Sequence, residues 1–194
     1  MNQAIRHGVA RLLGVAILAL AAGCQRPPDE SVLRRAEALC QRGQWDAAVP
    51  FLKQYLLDYP RATAAHYYLG RCYLNGQKRF LGAAEGEFLV ALDLLQQDDR
   101  RSPIPEFSDE YFELRCHLEL GKVYLRALMH AVSGGVPAIV IHELAGKCRR
   151  TAENARRLAP DSEDVKELEQ IVDGILHTYV HPRSAPAPKH PFQT

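Results

Sequence analysis

The chain has 194 residues, 47% of them apolar and 24% charged. That suffices for one core of about 150 residues without disulfides and excludes both a multi-span membrane protein and a wholly disordered chain. Lys and Arg total 24 against 23 acidic residues, a formal charge of +1, so the electrostatic footprint of a general nucleic-acid binder is missing. Straight-chain helix formers dominate, with 25 Ala and 25 Leu against 7 Ile and 4 Thr, and the expected fold class is all-α.

The first element is a short apolar run. Arg6, His7 and Arg11 precede an uncharged stretch from Leu12 to Ala22, 11 residues long, which ends in Leu20-Ala21-Ala22-Gly23-Cys24. A spanning helix needs about 20 apolar residues, so the run reads as the core of a secretory signal. Small residues ahead of a cysteine resemble the lipobox of bacterial lipoproteins, which implies cleavage after residue 23 and a lipid anchor (diacylglycerol and palmitate-type chains) on Cys24. An ordinary signal peptide cut after a small residue, with Cys24 incidental, is the alternative. Gln25 stands where an Asp would imply retention in the inner membrane; the resemblance therefore implies an outer-membrane protein facing the periplasm if the source is a diderm. Residues 24–28, with Pro27-Pro28, read as anchor and stiff spacer.

A period follows. Ala36, Leu39, Gly43, Trp45, Ala48, Leu52 and Pro60 fall at positions 8, 11, 15, 17, 20, 24 and 32 of a 34-residue unit counted from Asp29. Leu69, Gly70 and Tyr73, then Ala84, Phe88 and Ala91 after a short insertion, repeat it from Thr63. The spacing resembles the tetratricopeptide repeat: small residues at 8 and 20 let two antiparallel helices approach, and large ones at 11, 17 and 24 fill the gaps. Residues 29–62 and 63–97 are the two repeats, with Gly43 turning the first hairpin and Pro60 ending it. Arg35 and Tyr55 depart from the pattern, at positions usually apolar and Ala.

Beyond the polar, proline-broken stretch 98–105, Ser108 is suited to cap a helix running to about Val132, in which Leu120, Gly121 and Tyr124 repeat the motif. Ser133-Gly134-Gly135-Val136-Pro137 breaks it, and a partner helix from Ala138 to Leu158 completes a degenerate third repeat over 108–160. A capping helix over 162–179 and a proline-rich disordered tail, 181–194, complete the chain, so that 29–180 forms one short right-handed stack.

No catalytic constellation emerges. His142-Glu143 lacks the second His of a zinc-protease helix, since Gly146 stands there, and Gly146-Lys147 lacks the glycine and hydroxyl residue of a phosphate loop. His177 and His181 have metal-compatible spacing without a third ligand, and no metal, cofactor or small-molecule substrate is expected. Cys40, Cys72, Cys116 and Cys148 read as small buried residues at helix contacts, with a Cys116–Cys148 bridge in the third hairpin as a second reading for an exported protein.

Tetratricopeptide proteins bind peptides or proteins on the concave face of the stack, and the resemblance carries those positions onto Leu33, Glu37, Ala64, Tyr67, Arg71, Arg115, Leu118, Lys122 and Arg126, among others. Intervals of 7 and 4 put Arg115, Lys122 and Arg126 on one helical face. The expected site is a groove with Tyr67 as an aromatic anchor and Arg71, Arg115, Lys122 and Arg126 receiving acidic groups. Two functions stay open: a membrane-anchored adaptor binding an envelope protein or peptide, and a structural lipoprotein of an envelope assembly without such a groove.

Overall fold

The computed structural model describes residues 30–98 and 103–179. Cys24 with its leader and spacer, and the tail from 181, lie outside the described residues. The described residues are all-α, without strands: α1 Glu30–Gln41, α2 Trp45–Asp58, α3 Thr63–Asn75, α4 Leu81–Gln97, α5 Asp109–Ser133, α6 Ala138–Leu158 and α7 Glu163–Tyr179. None of these helices is long and apolar enough to cross a membrane.

Local chemistry explains where the helices stop. Gly43 adopts φ +73°, a left-handed turn that glycine enters without steric cost, and the chain reverses there between α1 and α2. Pro60 follows Tyr59 at the end of α2 and offers no N–H to continue it. Ser108 caps α5, its hydroxyl oxygen accepting the N–H of Tyr111 at 3.2 Å, with Asp109 and Glu110 at the positive end of the helix dipole.

Packing is strictly local along the chain. Each helix packs on the next, and α1 on α3, α3 on α5 and α5 on α7; contacts between helices further apart in sequence are absent among the described residues. Small residues sit where helices meet. Ala36, Ala48 and Ala84 are fully buried. A Cβ on Gly70 would lie 2.9 Å from the Phe88 ring of α4, and one on Gly121 would lie 2.5 Å from Leu168 of α7.

Large side chains fill the remaining space. Tyr67, Phe88 and Phe112 form a buried aromatic centre across α3, α4 and α5, with ring centroids 6.1 Å and 5.2 Å from that of Tyr67. The two departures from the repeat have local explanations. Tyr55 is buried with its ring 4.9 Å from that of Tyr59, and the exposed Arg35 lays its guanidinium 4.4 Å over Phe51.

Candidate functional site

The basic residues singled out in the sequence come from α3 and α5, the two helices that the α3–α5 contact sets side by side. Glu119, which sequence reading did not single out, organises them. Its carboxylate is 3% exposed and accepts from Arg115 at 3.0 Å and from Lys122 at 3.3 Å. Arg115 also reaches Asp164 at the start of α7, 3.8 Å away. Lys122 keeps nearly half its side-chain surface in solvent. The signal for Glu119 was present as helical spacing, three residues before Lys122 and four after Arg115.

Arg71 is held differently. Its guanidinium stands 5.2 Å over the Trp45 ring and 5.7 Å over that of Tyr67, a cation–π clamp spanning α2 and α3. Its Nε is buried without a hydrogen-bond partner.

Two expected roles are corrected. Tyr67 is not presented as an anchor: its ring is 0% exposed, because this face of α3 turns into the aromatic centre made with Phe88 and Phe112. Its hydroxyl faces Arg115 without reaching hydrogen-bond geometry, and burial pushes its pKa up. Burial works against the Arg115 charge, but the facing phenol and Glu119 outweigh it and the net shift is upward.

Arg126 is not a free cation. It donates to the carbonyl of Leu74 and, at 3.5 Å, to Oδ1 of Asn75, closing the C-terminal end of α3 from α5. Burial and the neighbouring Arg79 lower its pKa. Arg79, in the α3–α4 turn, occupies no repeat position, so only the basic run Lys78-Arg79 marked it in the sequence.

A concavity lies beside α1 and α3. A cleft of about 880 Å³ opens between α1, the α2–α3 turn and the segment before α5, walled by Leu33, Glu37, Tyr59, Ala64, Tyr68 and Ile104. The Tyr68 hydroxyl donates to Glu37 at 2.7 Å, bracing one wall. Burial first, and then this carboxylate, raise the pKa of that phenol, so it remains a donor at neutral pH. Leu33, Glu37 and Ala64 are concave positions of the repeat pattern. Ile104, by contrast, comes from the connection before α5, whose contribution no periodicity announced.

Leu118 is buried in a cluster with Ala155 and Val165, the latter from α7. His142 and Glu143 are exposed on α6, and His177 is exposed on α7. Among the described residues, no group of three or more His, Cys, Asp or Glu is placed to hold a metal ion. Lys147 lies within helix α6, paired with Glu85 at 3.2 Å and 5.3 Å over the Tyr124 ring. No family model matches the chain, and neither does any curated protein or solved structure.

Proposed function

We propose that this chain is a lipid-anchored adaptor of the bacterial envelope that binds an extended segment of a partner protein in the α1–α3 cleft. In this reading its helices form a short right-handed tetratricopeptide-like stack, with three hairpins and α7 as the cap. Two features support the architecture: the recurrence of small residues at Ala36, Gly70 and Gly121, and packing limited to neighbouring helices. Cys24 carries the anchor, and Pro27-Pro28 separates it from the fold.

The observation that carries the binding role is the cleft itself. Its walls include Leu33, Glu37 and Ala64, which are the positions that the repeat pattern assigns to the concave face. Apolar side chains with a few fixed polar groups are the usual make-up of a peptide-binding groove. Lys122, exposed on the neighbouring helix α5 and only partly neutralised by Glu119, biases the surface toward acidic partners. The role is binding rather than catalysis.

One observation favours the second reading, a structural lipoprotein without a groove. α7 buries Leu118 and reaches Arg115 through Asp164, so this last described helix occupies part of the concave face. Capture experiments separate the two. The full chain should cross-link a defined partner from envelope extract, and Leu33→Arg or Ala64→Arg, which fill the cleft, should reduce that capture at least tenfold while helicity is kept. Lys122→Glu should weaken it less. Undiminished capture by both cleft variants would reject the groove in favour of the structural role.

A further inference from the structure

We propose that Cys40 and Cys72 are a disulfide site: their sulfurs lie 3.4 Å apart in the buried seam between α1 and α3, and oxidation there rivets the first helix to the third. The pairing differs from the Cys116–Cys148 bridge that the sequence offered. All four described cysteines are free thiols in this structure, and Cys148 donates to the carbonyl of Gly121 at 3.6 Å. A disulfide needs sulfurs about 2.05 Å apart. Cys40 and Cys72 are therefore already in van der Waals contact, and side-chain rotation has little distance left to cover.

The two thiols share one hydrogen bond in which either sulfur can donate, so a thiolate on one is stabilised by the other, and Arg71 favours the anionic form of both. Cys40 can attack first, and the reverse order forms the same bond. The oxidant is a disulfide of the glutathione or dithiol-oxidoreductase class, written R–S–S–R. Cys40 gives up its proton and attacks one sulfur of the oxidant, forming Cys40–S–S–R and releasing RS⁻. Cys72 then loses its proton and attacks the Cys40 sulfur, forming the Cys40–Cys72 bond and releasing the second RS⁻. The two protons end on two RSH, and the two electrons reduce the oxidant.

Access decides the rate. The two cysteines are 1% and 2% exposed, so the oxidant reaches them when α1 lifts or before it docks. α1 lies at one end of the described array and packs only on α2 and α3, so it is released more easily than α3, which packs on four helices. The bridge would also fix one wall of the cleft, since Leu33 and Glu37 belong to α1.

The test uses the full chain carrying Cys24→Ser, so that the anchoring cysteine does not compete. It is incubated in glutathione buffers of increasing oxidised fraction, once folded and once during refolding from urea. Acid quenching, unfolding, alkylation of free thiols and peptide mapping follow. The expected product is one cross-linked peptide pair joining Cys40 to Cys72, with a mass loss of about 2 Da and with Cys116 and Cys148 alkylated. It should form at least tenfold faster during refolding than in the folded protein. Adding Cys40→Ser, or separately Cys72→Ala, should abolish the cross-link and leave the other thiols alkylated. Absence of the bond in both incubations at every ratio would overturn the proposal, as would a predominant Cys116–Cys148 bond or a mixture of pairings. None of these outcomes depends on whether a partner occupies the cleft.

Discussion

The imidazole of His117 is embedded in α5 with Nδ1 buried and unpartnered, and burial holds its pKa down at about 4. Its ordinary value is 6.5, so the unfolded chain takes up a proton that the folded chain refuses. The neutral ring therefore contributes stability that is complete above about pH 6.5 and is lost as the pH falls toward 4. A difference of this size is worth about 3 kcal/mol at the acid end. His117→Leu should flatten the stability profile between those pH values in urea titrations, and an unchanged acid slope would count against the assignment. His66 loads the other side. Burial lowers its pKa, but Glu87 at 2.6 Å and the carbonyl of Pro60 at 2.9 Å face its two ring nitrogens and raise it overall. The imidazolium's contribution is present below pH 6.5 and disappears as the pH rises through the elevated value. Glu87→Gln should remove that alkaline loss, which the same titrations read as the pH rises above 6.5.

At the scale of the helices, glycine substitutions separate packing from propensity. Alanine in place of glycine gains helix propensity of up to about 1 kcal/mol. At Gly70 that gain competes with a Phe88 ring 2.9 Å from the added methyl and fully buried on every side, so Gly70→Ala should destabilise by about 1–3 kcal/mol. Gly121→Ala meets the flexible end of Leu168 and should cost less. Gly82 and Gly86, on α4, have nothing within 4 Å, and alanine there should stabilise by about 0.5–1 kcal/mol each. Urea midpoints of the four variants give the ranking directly. These positions also show what the sequence could express. Leu-Gly followed by Tyr three residues after the Gly marks a close approach in both α3 and α5, and Gly43 and Ser108 announced a turn and a cap by their chemistry. The direction of Tyr67 was not legible, because a tyrosine at a groove position serves the core as readily as the surface, and only the neighbouring Phe88 and Phe112 decide. Arg126 was equally ambiguous: its partners, Leu74 and Asn75, lie about fifty residues earlier. The cleft owes Ile104 to a connection without periodicity, which pattern reading cannot place.

Across the whole molecule, the succession of neighbour-only contacts predicts graded rather than uniform protection. α3 and α5 each pack on four other helices and the remaining helices on two each, with α1 and α7 at the two ends of the described array. Amide hydrogen exchange should therefore be slowest in α3 and α5 and fastest in α1 and α7. Equal protection along the chain would mean that the described helices open as one unit. With 22 basic and 23 acidic groups after residue 23, net charge contributes little to partner choice, and local clusters such as Lys122 with Glu119 carry it instead. The same connectivity governs how the cleft deforms. α1 and α3 meet through the α1–α2, α2–α3 and α1–α3 seams, so a change in the width of the cleft between them requires rotation at those joints, as a hinge is set, and leaves the aromatic centre around Phe112 untouched.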